Sequence, residues 1–170
     1  TTGGLPGATW RNDYVVLFDC GMTGSGLLGW ALQFRDAAGG NWSVFPLSGS
    51  IAHGRYFLVK FGSSGVGGGV LPIVEDLAFD GFNGTSSGTW ALVNSTTPLG
   101  VPCSPQPTIV DQVGFGSPLA CAEGGQAQAP TLTQSIRRNL SCGDSDQNGF
   151  DFALAPAAPH VLDAAALVAR

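Results

Sequence analysis

The residue types best suited to chemistry lie in one acidic loop near the end of the chain. Between residues 144 and 151, side-chain oxygens alternate along the sequence, and a glycine at position 149 permits a sharp turn. Calcium prefers hard oxygen ligands that converge from a tight backbone. A calcium site is therefore one interpretation of this loop, and the sequence indicates no other cofactor. The predicted ligands are the side chains of Asp144, Asp146, Asn148 and Asp151 and the main-chain carbonyl of Phe150.

A second interpretation of the same loop needs no metal. An EF-hand-like register would place its closing bidentate carboxylate at Ala155, whose methyl group cannot bind an ion. Short Asp and Asn side chains also hydrogen-bond to the backbone of their own turns. The sequence leaves both interpretations open, a calcium loop or a set of turn caps.

Other candidates for catalysis are sparse. Only His53 and His160 could act as bases near neutral pH, and neither lies near a G-x-S-x-G motif or another nucleophile signature. Glu75 and Asp76 are adjacent, so on a strand they would point to opposite faces and could not act as a carboxylate pair. We therefore predict no catalytic residues.

The cysteines indicate disulfides. They contain no C-x-x-C motif, so neither a zinc site nor thioredoxin chemistry is indicated. An even number of cysteines in a Gly- and Thr-rich acidic chain favours two disulfides and an oxidising compartment. The alternative is four free buried thiols in a cytosolic protein. The four residues are Cys20, Cys103, Cys121 and Cys142.

Composition limits both the fold and the partners. The 170 residues include 26 Gly and 11 Pro, with 44% hydrophobic and 11% charged residues. This mixture is typical of one all-β domain rich in turns. The net charge of −5 and the pI near 4.6 argue against direct nucleic-acid binding, which needs clustered Lys and Arg. No apolar run approaches the length of about 18 residues that a membrane-spanning helix requires.

The candidate residues described above must be held in place by short strands. Residues 14–18 are apolar and residues 27–34 alternate around Trp30, so we predict that these two strands form the centre of a β-sandwich with Trp30 in its core. Residues 55–61 are largely apolar and should lie centrally with both faces covered. Further strands are predicted at residues 41–47, 89–94, 108–116, 133–138 and 152–154. The pattern predicts an antiparallel β-sandwich over residues 1–156, followed by a linker and a short C-terminal helix over residues 157–170.

Several segments, taken in order, are similar to one known family. They are GATWRNDYVVLF at residues 7–18, LGWALQ at 28–33, PLSGSI at 46–51, GRYFLV at 54–59, ALVN at 91–94, VDQVGFG at 110–116, SIRR at 135–138 and DSDQNGFDF at 144–152. Together they resemble the lamin-tail domain in its bacterial, secreted form, which is often found beside extracellular nuclease or phosphatase domains. The resemblance covers residues 3–159.

The resemblance implies an immunoglobulin-like β-sandwich without catalytic activity of its own. It also implies that Cys103 pairs with Cys121, which leaves Cys20 for Cys142. Family members usually start with one more strand, so it further implies an empty strand slot whose unpaired backbone groups invite β-augmentation. This sequence departs from the family at Val16, where Glu is common, and at Cys20. The predicted interaction residues are Tyr14, Val16 and Phe18, together with Trp10 and Trp42, which we expect to be exposed.

The expected function is that of a non-catalytic interaction or structural domain of lamin-tail type. It would act outside the cytoplasm, in the periplasm, at the cell surface or extracellularly, with a protein partner or a larger assembly. The alternative is an accessory domain of a secreted calcium-dependent hydrolase, a nuclease or phosphatase whose catalytic part lies outside this chain. A third expectation is a subunit of a larger extracellular or membrane-associated assembly.

Overall fold

The protein is an all-β sandwich. The structure, a computed structural model, describes residues 3–62, 65–82, 84–100, 106–117, 121–139 and 142–159. Within these ranges the fold class confirms the predicted all-β sandwich, since strands predominate and the helical content is one short turn. In chain order the elements are β1 Asp13–Phe18, β2 Ser25–Gly26, β3 Ala31–Asp36, β4 Ser43–Pro46, β5 Ser50–Ile51, β6 Tyr56–Phe61, β7 Leu77–Phe79, β8 Gly88–Val93, β9 Ile109–Phe115, β10 Gln134–Arg138, α1 Asn148–Asp151 and β11 Phe152–Pro156.

The first layer is a sheet in the order β1-β6-β7. Strand β6 lies in its centre, antiparallel to β1 and parallel to β7. Residues 57, 58, 59 and 61 of β6 are all buried, which confirms that this strand has both faces covered. Strand β1 lies at one edge of the sheet and not at the centre of the sandwich, which corrects the predicted arrangement around residues 14–18.

The second layer is an antiparallel sheet in the order β4-β3-β8-β9. An aromatic cluster joins the two layers, because Phe61 on β6 lies 5.0 Å from Trp90 on β8 between ring centroids. Phe34, Phe45 and Phe82 also contact Trp90, at centroid distances of 4.9, 5.7 and 5.3 Å. Offset and edge-to-face aromatic pairs of this kind add to the stability that burial alone gives.

The predicted place of Trp30 in the core is confirmed in part. Trp30 precedes β3 and is partly buried against the core, as Trp90 is, but the aromatic contacts described above that join the two sheets are made by Trp90. The alternation around Trp30 also predicted one covered face. In the structure Ala31 and Gln33 are completely buried on the opposite face, where the Gln33 amide donates to the Thr97 carbonyl and accepts from the Leu99 N–H, at 2.9 and 2.8 Å.

A second core lies on that opposite face of the four-stranded sheet. It contains Trp42, Val93, Leu99 and Cys121, and Trp42 is only 8% exposed. The prediction that Trp42 is exposed is therefore wrong. Segments that connect strands cover this face, and their Pro- and Gly-rich sequences gave no sign that they would pack against a sheet.

Strands β10 and β11 form a separate antiparallel hairpin. Its base contacts the N-terminal loop, because the Thr9 N–H donates to the Leu132 carbonyl at 2.9 Å. Ala157 is buried, donates to Thr133 and accepts a hydrogen bond from the Trp10 indole at 2.6 Å. The predicted C-terminal helix, including His160, lies outside the described residues.

Candidate functional site

Three carboxylates meet at one end of the sandwich. Asp111 on β9, Glu123 in the segment after Cys121, and Asp144 in the loop before α1 each bring an oxygen to within 4.8 Å of the other two. Asp111 and Glu123 are partly buried, and Asp144 is exposed. We call these three residues the acidic cluster.

Arg138 on β10 supplies positive charge to the acidic cluster. Its guanidinium donates to both carboxylate oxygens of Asp111, at 2.6 and 2.8 Å. It also lies 3.3 Å from Asp144 and 3.7 Å from Asp151, and it stacks over the Phe152 ring at 4.5 Å. A planar guanidinium suits such bidentate and stacked contacts better than an ammonium group does. One cation therefore compensates part of the charge of several carboxylates.

Glu123 is the residue of the acidic cluster whose negative charge is most strongly disfavoured. Burial and the neighbouring carboxylates of Asp111 and Asp144 raise the pKa of Glu123 to about 7. Both causes act in the same direction, because burial and like charges each disfavour the ionised carboxylate. Glu123 is therefore partly protonated at neutral pH.

Asn148 holds the acidic cluster together and is completely buried. Its amide oxygen accepts from the N–H groups of Gly114 and Glu123, at 2.8 and 3.1 Å. Its amide nitrogen donates to the Gln112 carbonyl at 2.9 Å and to the Glu123 carboxylate at 3.2 Å. Both the oxygen and the nitrogen of the Asn148 amide are thus used to join β9 to the segment that contains Glu123.

The other predicted calcium ligands have other partners. The Asp151 carboxylate accepts from the N–H and hydroxyl of Ser145, at 3.0 and 2.7 Å. The Phe150 carbonyl accepts from Asn139 at 2.7 Å, and Asp146 is an exposed turn residue at φ 54°. Of the predicted set, the structure brings Asp144 into the acidic cluster. The hydrogen bonds that Asp144 and Asp151 accept from the N–H groups of Asp146 and Ser145 match the turn-capping interpretation, whereas those of Asn148 reach other segments of the chain.

Asp111 and Glu123 were missed by the sequence analysis. Asp111 belongs to an apolar strand, and Glu123 lies in a small-residue segment more than twenty positions before Asp144. No spacing rule links them. Asn148 was a predicted site residue that contacts both segments. It was predicted as a calcium ligand, whereas in the structure its side chain connects β9 to Glu123.

A second group of polar side chains lies at the end of β1. Ser25 donates to the buried Asp19 carboxylate at 2.5 Å, and His53 lies 4.0 Å from the other Asp19 oxygen while also contacting the Gly21 carbonyl. In a Ser-His-Asp site the histidine lies between the other two groups. Here the carboxylate lies between them, so Ser25 is not placed to transfer its proton to His53.

A cavity of about 550 Å³ opens on one side of the sandwich. Its lining includes unbroken runs of residues 13–21, 110–113 and 135–138. Neighbouring residues of a strand point to opposite faces. A cavity that touches every residue of a run therefore borders the edge of that strand, so the cavity lies along the edges of β1, β9 and β10.

The outer edge of β1 carries backbone groups without a partner in the described part of the chain. On β6, the Leu58 N–H and carbonyl bond to Asp76, away from β1. Antiparallel pairing alternates, so residues 57, 59 and 61 of β6 bond to β1. The main-chain groups of Tyr14, Val16 and Phe18 consequently point away from β6, towards the cavity.

The part of the cavity that lies between β1 and β10 is closed at both ends. At one end Thr9 bonds to Leu132, as described above. At the other end a disulfide joins Cys20 to Cys142, with a Cα–Cα distance of 5.6 Å, as predicted. Cys121 is also disulfide-bonded. Cys103 lies outside the described residues, so its pairing with Cys121 stays a prediction.

The predicted interaction residues differ in exposure. Tyr14, Val16, Phe18 and Trp10 are partly buried, and Trp42 is buried. No helix among the described residues is long and apolar enough to cross a membrane. Comparison with family models, with curated proteins and with solved structures found no match to this chain.

Proposed function

We propose that this chain is a non-catalytic interaction domain of lamin-tail type that acts outside the cytoplasm as part of a larger protein or assembly. The observation that carries the proposal is the open edge of β1. Exposed strand edges pair readily with other chains, and proteins that do not use them usually cover or charge them. The outward backbone groups of Tyr14, Val16 and Phe18 have no backbone partner among the described residues. The Tyr14 side chain reaches from this edge towards Ser135 on β10, and burial raises the pKa of its phenol.

The disulfide supports the proposed location. Cys20 and Cys142 are both exposed residues, so cytosolic reductants would reach the bond between them. Disulfides of this kind persist in oxidising compartments such as the periplasm or the extracellular space. The proposal therefore places the domain in such a compartment.

The acidic cluster favours a second candidate, an accessory domain of a secreted calcium-dependent hydrolase. Asp111, Glu123 and Asp144 offer oxygen ligands of the kind that calcium prefers. Calorimetric titration of the EDTA-treated protein with calcium tests this candidate. Binding that is lost in Glu123→Gln supports it, and absence of heat in the wild type contradicts it.

Proline substitutions on β1 test the leading proposal. Val16→Pro removes an N–H that points away from β6, and edge strands tolerate proline at such positions. Leu17→Pro removes an N–H that bonds to β6 and should unfold the sheet. It is the matched control for the assignment of which β1 N–H groups point away from β6. Partners are captured from the native extracytoplasmic fraction on immobilised wild type and on Val16→Pro, and quantified by mass spectrometry.

The expected result is one reproducible partner on the wild type that is reduced at least about tenfold on folded Val16→Pro. Circular dichroism establishes that this variant is folded. Equal capture by both proteins contradicts a role for the β1 edge. Substrate turnover by the isolated chain that is lost in His53→Ala contradicts the non-catalytic assignment.

A further inference from the structure

We propose that the gap between β1 and β10 is a binding site for one extended strand of a partner polypeptide, with apolar side chains at alternate positions and a carboxylate beside Arg137. This inference rests on the proposed function and specifies the partner. The gap is the part of the cavity that is lined by Asp13–Phe18 of β1 and by residues 135–138 of β10.

The edge of β10 is open in the same manner as that of β1. Asn139 donates to Asp151, and Ala157 donates to Thr133, so the odd-numbered residues of this strand bond to β11. By alternation, the N–H and carbonyl groups of Ile136 and Arg138 point away from β11. The gap therefore has backbone donors and acceptors along both sides. A hydrocarbon ligand would leave them unpaired, whereas a peptide backbone pairs with them.

The edge of β9 is closed, which limits the site to one strand. The outward groups of Gln112 and Gly114 bond to the Asn148 side chain, and those of Gly114 and Gly116 bond to Ala127. A second inserted strand would find the outward backbone groups from the Gln112 carbonyl to the Gly116 N–H already bonded. The occupant thus lies between β1 and β10 alone.

The closed ends set the length of the occupant. Thr9 meets Leu132 at one end, and Cys20 meets Cys142 at the other, so β1 and β10 run in the same direction. Strand β1 has six residues, which at about 3.3 Å per residue span about 20 Å. The paired part of the partner is therefore about four to six residues long, and its flanks leave through the open side.

The interior of the gap requires apolar side chains. Trp30, Trp90 and Leu92 line the cavity and pack against the core, yet all three remain partly accessible. Ile136 and Phe152 line the cavity on the side of the hairpin and are likewise only partly buried. Alternate residues of an inserted strand would point into this space and remove the exposed apolar surface from water.

The charged residues that line the gap indicate which residue the outward face of the partner strand should carry. Arg138 is engaged by Asp111 and Asp144, and Asp13 accepts from the N–H groups of Gly3 and Gly84. Arg137 lines the gap, is exposed, and has no ion pair in the part of the chain that the structure describes. A carboxylate on the outward face of the partner strand would pair with Arg137.

The test uses a defined peptide and the full-length chain. The probe is an N-acetylated octapeptide in which valine alternates with threonine and one central threonine is replaced by glutamate. Control peptides have the same composition without alternation, or glutamine in place of glutamate. Calorimetry measures affinity, and tryptophan fluorescence reports on Trp30 and Trp90.

Binding of the alternating peptide at micromolar affinity is expected, with at least about a tenfold loss for Val16→Pro and for the non-alternating peptide. Arg137→Gln should weaken the glutamate peptide about three- to fivefold and leave the glutamine peptide unchanged. Equal binding of the alternating and the non-alternating peptide, or equal binding of the alternating peptide to Val16→Pro and to wild type, overturns the inference.

The remaining outcomes separate this inference from the proposed function. A partner captured in a Val16-dependent manner, with no octapeptide binding even after reduction of the disulfide, overturns the strand site and leaves the interaction domain standing. Octapeptide affinity that rises tenfold in Leu162→Asp/Val168→Asp assigns the gap to the C-terminal segment of the chain itself. A concentration-dependent dimer that Val16→Pro abolishes assigns it to a second copy. Either of these two results also overturns the inference.

Discussion

Replacing Glu123 with glutamine should stabilise the protein at alkaline pH and have little effect in acid. Burial beside Asp111 and Asp144 raises the pKa of Glu123 from 4.5 to about 7. An acid whose pKa is raised by folding contributes stability that is fully present below about pH 4.5. This contribution is lost as the pH rises through about 7, because the folded state must then hold an unfavourable charge.

The magnitude follows from the pKa difference. A rise from 4.5 to about 7 corresponds to about 3 kcal/mol at full strength. Because Glu123 is partly exposed, solvent screening reduces this to about 1–2 kcal/mol. The amide that Glu123→Gln introduces is uncharged at every pH, and its oxygen can still accept the hydrogen bond from Asn148. The variant should therefore match the wild type near pH 4 and exceed its stability by that amount at pH 8.

Urea unfolding of both proteins from pH 4 to pH 8, in EDTA, measures the difference in unfolding free energy. Glu75→Gln is the matched control, since the hydrogen bond from Lys60 lowers the pKa of Glu75. Its carboxylate contributes stability that is present above the unfolded pKa, so this substitution should weaken the protein at pH 8 and not in acid. A pH-independent gain for Glu123→Gln, or a loss at pH 8, would refute the electrostatic account of the acidic cluster.

Two further substitutions test the structural framework. Asn148→Ala should cost about 2–4 kcal/mol in urea unfolding, because buried groups of Gly114 and Gln112 lose their partner; a cost below about 1 kcal/mol, which is nearer to what an exposed amide contributes, would contradict its role as anchor. Cys20→Ala/Cys142→Ala opens a loop with a sequence separation of 122, for which chain entropy gives a loss of about 4–5 kcal/mol. The same double variant should speed octapeptide association in stopped-flow measurements, since one closed end of the gap is released, and an unchanged association rate would show that the disulfide does not restrict entry.

The strands were predictable because their apolar runs are local. Residues 14–18 and 55–61 contain enough β-branched and aromatic residues to form strands in any all-β context, and the structure places β1 and β6 there. The layer to which each strand belongs was not predictable. It depends on pairing between distant segments, and so the edge position of β1 and the central position of Trp90 became apparent only in the structure.

The predicted exposure of side chains was wrong where irregular segments pack over the four-stranded sheet. Trp42 resembles an exposed aromatic residue in sequence, since it follows glycines and an asparagine. Leu99 packs against it from a connecting segment that has no periodicity. Hydrophobic periodicity is informative for regular elements, but it carries no signal for a loop that folds back over a sheet.

The sequence indicated that side-chain oxygens are concentrated in the loop of residues 144–151. It did not indicate that Asp111 and Glu123 lie next to this loop. Local rules describe the hydrogen bonds that Asp151 and Asn139 make within the loop and the neighbouring strand. The acidic cluster needs Asp111, Glu123 and Asp144 from three separate parts of the chain. Their convergence depends on the position of β9 and on the completely buried side chain of Asn148.

The link between Cys20 and Cys142 has a consequence for the durability of the molecule. Because 122 positions separate the two cysteines, a single protease cut almost anywhere in the sandwich leaves the two fragments attached. The nicked molecule would migrate as one band until a reductant is added, and its halves could re-form the same sheets without diffusing apart. Secreted proteases could therefore cleave the surface segments between the strands without separating the molecule into pieces.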